Sequence, residues 1–318
     1  MASTLVATLG FATACAPPRP APESPERPRQ PFFAVGVEEG RRPSSGSGTV
    51  AYDLYVPGAT AGLPSPPWPG VVLVHGFSRS RKRHAGTARH LAERGFVVLV
   101  ADLASLLGGE NARGENVVDT RGHVEWLRAR AATPGDALFG LVDRERLALA
   151  GFSAGGAVAF EAATRTPVRA VVLLDAVPWR RTLAAAGTMP EARLLSLRSE
   201  PSACNGKGSV RGLLAALPFG SEDVRIAGAT HCDAEDPSDA ACRLFCGGSS
   251  EEARRVYRRL LHLFLADVLD APRGDGSPES WGEAVARGIE DGTLAVERVV
   301  PASGPPDPGA GVRSRRAP

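Results

Sequence analysis

The sequence predicts one α/β domain whose mostly parallel sheet carries helices on both faces. Three observations carry that prediction. Short continuous apolar runs, such as Val71-Val72-Leu73-Val74, recur along the chain. Stretches with helical spacing separate them, and a Gly-x-Ser-x-Gly pentapeptide stands where one run meets one such stretch. Runs this short, apolar throughout, suit strands covered on both sides, and alternation with helices implies parallel crossovers.

The elements follow in order. Thr49 to Val56 alternates like a half-buried strand, and a Pro/Gly-rich loop leads through Pro69-Gly70 to the strand at 71–74. Helical spacing covers Ala85 to Glu93, and Phe96 to Ala101 is the next strand. Val117 to Ala131 is a helix, Leu147 to Ala150 a strand, and Ala157 to Ala163 a helix. Strands are expected at Val168–Leu174, Ala192–Leu197 and Val224–Ala227. A long amphipathic helix over Glu251 to Leu269 (Val256, Leu260, Leu263, Phe264, Val268) closes the domain. The organisation expected is a signal-like segment over 1–15, a Pro-rich tether over 16–31, the domain over 32–270 and a C-terminal extension over 271–318. That extension holds a short helix near Trp281 to Gly288 and ends in a stretch expected to lack structure, Pro301 to Pro318.

Composition limits the function classes. Hydrophobic residues are 43% and charged residues 23%, and the formal net charge is +2 over 318 residues. Such a balance gives no reason to expect a nucleic-acid partner. Apolar residues at 5–11 lead to Ala12-Thr13-Ala14-Cys15 and then Pro17-Pro18, which resembles a bacterial lipoprotein signal with Cys15 as the lipid-bearing residue and possible point of membrane attachment. The run is too short to span a bilayer. The other four cysteines, Cys204, Cys232, Cys242 and Cys246, suffice for two disulfides in an oxidising compartment, with three pairings open. No Cys-x-x-Cys pair is present, so no metal site is expected.

Gly151-Phe152-Ser153-Ala154-Gly155 has the form of a nucleophile elbow, the signature of the α/β-hydrolase fold. A nucleophile at a tight strand-to-helix turn needs small neighbours so that strand and helix can approach. Ser153 is therefore the candidate nucleophile. The oxyanion hole of this fold pairs the N–H after the nucleophile, here Ala154, with one from the loop after an early strand. His75-Gly76-Phe77-Ser78 follows the strand at 71–74, which nominates the Phe77 N–H and gives His75 a loop-holding role. Of the six histidines, His231 lies just past the last expected strand, in the chain order serine, acid, histidine, and is the candidate base. Two acids are open: Asp175 ends one strand and Glu200 follows the next, where many hydrolases of this fold carry it. Arg79, Arg81, Lys82 and Arg83 read as a solvated basic face. Trp179 and Met189, within Pro178 to Pro190, are the expected specificity element.

Several stretches resemble the chlorophyllase branch of α/β hydrolases and, more loosely, cutinase-like and polyester-cleaving esterases. They are Gly70 to Phe77, Gly95 to Ala101, Ala150 to Gly156, Val172 to Val177, Pro201 to Gly208, and His231-Cys232-Asp233 with Cys242 to Gly247 downstream. Together they span roughly residues 50 to 268. The resemblance implies Asp175, rather than Glu200, as the acid. Ala154 stands where that branch often has Arg, and Asp175-Ala176-Val177 where it has Asp-Pro-Val, so chlorophyll is not implied as substrate. With the N-terminal pattern and the cysteine count, the expectation is an exported serine esterase that cleaves carboxylic esters through an acyl-enzyme, without metal or organic cofactor. An amidase or peptidase with the same triad, or a non-catalytic exported binding lipoprotein, are the alternatives.

Overall fold

The computed structural model describes residues 32–46, 48–104, 109–271 and 279–299. The expected signal segment with Cys15, the tether and the stretch from Pro301 lie outside them. In chain order the elements are β1 (Val35–Pro43), β2 (Thr49–Pro57), β3 (Trp68–Val74), α1 (Ala85–Ala92), β4 (Val97–Ala101) and α2 (Gly109–Ala132). They continue with β5 (Val142–Phe152), α3 (Ala154–Ala163), β6 (Ala170–Leu174), α4 (Arg180–Ala185), β7 (Arg193–Arg198) and α5 (Val210–Ala215). Then come β8 (Ser221–Ile226), α6 (Ala240–Cys246), α7 (Glu251–Val268), α8 (Trp281–Glu290) and β9 (Leu294–Val299).

The strands form one nine-stranded sheet in the order β1-β2-β4-β3-β5-β6-β7-β8-β9. From β4 to β8 the pairings are parallel, and β1, β2 and β9 join antiparallel. Each central strand sends alternate side chains to two cores. In β3, Val71 and Leu73 pack with α1 and α7, while Val72 and Val74 pack with α2 and α3. Both faces are covered, which is why these strands are apolar at every position.

Residues 279–299 do not stand apart as an extension. β9 pairs with β8, Leu294 and Trp281 are buried, and the Trp281 ring meets Phe264 edge-on at 5.4 Å. The Trp281 indole N–H donates to Glu222 at 2.8 Å. The boundary expected at 270 therefore falls between two helices of a unit whose sheet continues to β9. An edge strand with one partner and an exposed Glu297 carries too weak an apolar pattern to mark itself.

Between β7 and β8 the Arg198 Nε donates to both oxygens of Asp223, at 3.0 and 2.8 Å, with both residues buried. Removing one partner leaves the other charge uncompensated in the interior. Asp223→Ala is expected to lower stability by about 3–5 kcal/mol in chemical denaturation; a change below about 1 kcal/mol would mean that water reaches Arg198.

Candidate active site

β5 ends at Phe152 and α3 starts at Ala154, so Ser153 alone makes the turn between them. It does so at φ 53° and ψ −122°, a left-handed conformation that costs a non-glycine residue free energy. The flanking glycines allow it. A Cβ on Gly151 would lie 2.2 Å from the Gly155 carbonyl oxygen, and one on Gly155 would lie 2.2 Å from the His75 carbonyl oxygen. The turn is tied to its neighbours by backbone bonds. Ser153 N–H donates to Leu174 O (3.0 Å), and Val177 N–H donates to Ser153 O (3.1 Å).

His231 stands between Ser153 and Asp175. Its Nδ1 is 2.6 Å from Asp175 Oδ2, and its Nε2 is 3.1 Å from Ser153 Oγ. A carboxylate only accepts, so Nδ1 carries the proton and Nε2 is left to accept from the serine hydroxyl. Asp175 follows β6 directly, also at positive φ (45°), with its N–H donating to Leu197 O (2.7 Å). All three residues are buried. The Phe152 ring lies against the imidazole at 4.6 Å and holds its plane. Beyond His231, Asp233 accepts from Thr230 N–H (2.7 Å) and Ser250 N–H (2.8 Å), which fastens the His231 loop to the start of α7.

Glu200, the alternative acid, is not part of this constellation. Its side chain is 43% exposed, pairs with Arg225, and accepts from Gly228 N–H at 3.3 Å. β7 delivers Ser199 to Asp175 instead. Ser199 N–H and Oγ–H donate to the Asp175 carboxylate at 2.9 and 2.8 Å.

The loop after β3 packs directly on Ser153, since a Cβ on Gly76 would meet Ser153 Cβ at 2.9 Å. Among the described residues the Phe77 and Ala154 N–H groups donate to nothing, so both are available to a ligand. His75 holds this loop. Its Nε2 accepts from Leu103 N–H (2.9 Å), so Nδ1 is protonated and donates to the Gly76 carbonyl (2.8 Å). Burial lowers its pKa below 6.5 and keeps it neutral.

A cleft of about 490 Å³ opens over Ser153 and His231. Phe77 and Phe152 line one part of it, and Ala241, Cys242, Phe245 and Cys246 of α6 line another. Trp179 and Met189 do not line it. Met189 is buried in the core, and Trp179 lies under the Arg113 guanidinium at 4.8 Å. The cleft is thus lined not by 178–190 but by α6, a helix without a sequence signal of its own.

The basic cluster is solvated only in part, with Lys82 exposed and each cation paired to a carboxylate. Arg79 pairs with Glu235 (2.6 and 2.7 Å) and Asp239 (2.9 Å), and Arg81 with Asp53 (2.8 Å) and Asp102 (2.7 Å). Lys82 reaches Asp53 (3.0 Å) and Arg83 reaches Asp239 (2.9 Å). The bond to Glu235 leads the effects that hold the Arg79 guanidinium charged. Asp239 also caps α6 by accepting from Cys242 N–H (2.9 Å), which with Arg79 brings its carboxyl down to about 2.

Of the three pairings open to the cysteines, Cys204–Cys246 and Cys232–Cys242 are formed. Both end on α6. One starts next to Asn205, which bonds Asp175, and the other next to His231. α6 is thus fastened both to the β7–α5 loop, whose Ser199 and Asn205 bond Asp175, and to the loop of His231.

The disulfides close sequence separations of 42 and 10 residues. On chain-entropy grounds Cys204→Ser/Cys246→Ser is expected to cost about 4 kcal/mol and Cys232→Ser/Cys242→Ser about 3 kcal/mol in denaturation. Turnover should fall in both pairs; unchanged turnover would free the site from dependence on α6. A second expectation concerns acid. The carboxyl of Asp239 ionises more readily folded than its ordinary 3.8, so its contribution is complete above that value and lost as pH falls through about 2. In acid titrations Asp239→Asn should remove that part of the stability loss, and an unaltered titration would exclude the capping role.

No curated protein matches the chain. The family model that describes PET hydrolase-like proteins matches residues 14–192. The matched segment contains Phe77, Ser153, Ala154 and Asp175, and it stops short of His231. Those residues form one site with a histidine from beyond the match, on a sheet of the α/β-hydrolase kind, and the chain belongs to the PET hydrolase-like family of polyester hydrolases.

Proposed function

We propose that the chain hydrolyses uncharged, apolar carboxylic esters through an acyl-enzyme on Ser153. The contact of His231 with both Ser153 Oγ (3.1 Å) and Asp175 (2.6 Å) at the floor of the cleft carries this reading. Ser153 Oγ attacks the ester carbonyl while His231 Nε2 takes its proton. The tetrahedral oxyanion accepts from the N–H groups of Phe77 and Ala154. Its collapse breaks the bond to the alcohol, which leaves with the proton from Nε2. Water then enters, gives its proton to His231 and its oxygen to the acyl carbon, and Ser153 recovers the proton as the acid departs. Asp175 keeps the imidazole in the tautomer that the first step needs and stabilises it when charged.

The cleft supports the choice of a neutral substrate. Its charged lining residue is Arg79, whose guanidinium is engaged by Glu235 and Asp239, while Phe77, Phe152 and Phe245 contribute apolar surface. An anionic acyl group would lose its hydration there without gaining a free cation.

We further propose that the chain is exported, with Cys15 available for lipid attachment. Two disulfides suit an oxidising compartment. Among the described residues no helix is long and apolar enough to cross a membrane.

Wild-type protein should label with a fluorophosphonate and turn over p-nitrophenyl butyrate. Ser153→Ala should lose both, with turnover down about 10³-fold or more. Neither labelling nor turnover in the wild type would favour a binding protein that retains the fold. Asp175→Asn should abolish most turnover and Glu200→Gln little; the reverse order would return the acid to Glu200. The neutral butyrate should exceed the mono-p-nitrophenyl ester of succinic acid at least tenfold in kcat/KM. Equal values would refute the neutral cleft. Cell fractionation with and without Cys15→Ala tests export, and wild-type protein in the cytoplasm would end that reading.

A further inference from the structure

We propose that Asn205 is a positioning residue for Asp175, holding the carboxylate in the orientation that His231 requires; this rests on the triad reading above. Asn205 is buried in the loop between β7 and α5. The orientation of its amide follows from its partners. Oδ1 accepts from two backbone donors, Ser202 N–H (2.8 Å) and Gly208 N–H (3.0 Å), the second shared with the Asn205 main-chain carbonyl (3.1 Å). The amide nitrogen therefore points the opposite way, into the acid's pocket. There Nδ2 lies 2.8 Å from the Glu200 carbonyl, 3.0 Å from Ser199 Oγ, and 3.3 and 3.4 Å from the two Asp175 oxygens. One of its hydrogens serves the Glu200 carbonyl. The other is directed at Ser199 Oγ and the carboxylate together.

That second hydrogen organises the rest of the pocket. By engaging a lone pair of Ser199 Oγ, it turns the hydroxyl hydrogen towards Asp175 Oδ2 at 2.8 Å, rather than towards the Glu200 carbonyl at 3.3 Å. Oδ2 is also the oxygen that accepts from His231 at 2.6 Å. With Ser199 N–H on Oδ1 (2.9 Å), the carboxylate has donors on both oxygens and cannot rotate without breaking several bonds. Asp175 is only 1% exposed, so water cannot replace a donor that is lost. Asn205 is thus the group that orders Ser199 and touches the acid, without touching substrate itself.

A role confined to shaping the loop predicts a different outcome from a role in orienting the acid, and one substitution separates them. Asn205→Asp keeps the shape and the Oδ1 acceptor for Ser202 and Gly208, but replaces the donor with an oxygen facing Asp175. Asn205→Ala removes both. Both variants are assayed at pH 9 on p-nitrophenyl butyrate, beside wild type, Ser153→Ala and Asp175→Asn, with thermal unfolding measured on each. Positioning predicts that kcat falls about 10-fold in Asn205→Ala and about 100-fold in Asn205→Asp, with KM within about twofold of wild type. It also predicts that the downfield proton resonance of the His231 Nδ1–H is shifted or lost in Asn205→Asp. Retention of wild-type kcat and of that resonance by Asn205→Asp, with Ala the poorer variant, would overturn the proposal and leave a loop-shaping role. Should Ala fail to fold, the comparison of Asp with wild type still decides. Activity in wild type that does not depend on Asp175 would instead overturn the triad reading, so the two failures are distinct.

Discussion

Ser153 is held in a left-handed turn, and much of the molecule is arranged to keep it there. The turn is possible because strand β5 and helix α3 come together over glycines: a side chain at Gly151 would collide with Gly155, and one at Gly155 with His75. The strain of the Ser153 backbone is a local cost of a few kcal/mol at most, and the two packed faces of the sheet easily exceed it. A rigid parallel sheet is therefore the condition for the site. β3, β5 and β6 end side by side, so the loop of His75, the turn of Ser153 and the carboxylate of Asp175 emerge within reach of one another.

The side chains around that turn are ordered by hydrogen-bond accounting as much as by packing. His75 can hold its loop only as the neutral tautomer that burial favours, because one of its nitrogens must accept from Leu103. Asp175 sits among Ser199, Asn205 and His231, which together saturate a buried anion. In each case a buried polar group has a defined set of partners, and the set determines where the proton resides. Aromatic contact completes the arrangement, as Phe152 supports the imidazole from the core side while also lining the cleft.

α6 has a different physical basis. It is seven residues long, too short to be stable through its own backbone bonds. Two disulfides, an Asp239 cap and the pairing of Asp239 with Arg79 and Arg83 hold it in place. Such fastening allows Phe245 to stand 79% exposed at the cleft wall without a core beneath it. The same ion pairs offset the charge of the cationic groups near the cleft, which leaves its character apolar. Structure and charge at the mouth of the site are thus set by one cluster.

Periodicity and local chemistry suffice for the central architecture. The apolar runs at β3, β4, β5 and β6 mark themselves because both sheet faces are buried, and the elbow marks itself because only small residues pass through it. The candidate serine, the histidine after the last parallel strand and the loop-holding His75 were legible for the same reason. Edge strands β1 and β9 and the short helices α4, α5 and α6 were not, since one-sided burial and a single turn or two of helix leave little pattern. Nor were the partners of charged side chains: Arg79 to Arg83 look solvated in sequence, and their carboxylates come from residues as distant as Asp53 and Glu235. The choice of Asp175 over Glu200 as neighbour to His231, the selection of one cysteine pairing among three, and the orientation of Asn205 all depend on which loops the sheet brings together. Local sequence determines which groups can donate, accept or turn tightly; only the tertiary structure decides which of them meet, because those contacts join residues tens of positions apart.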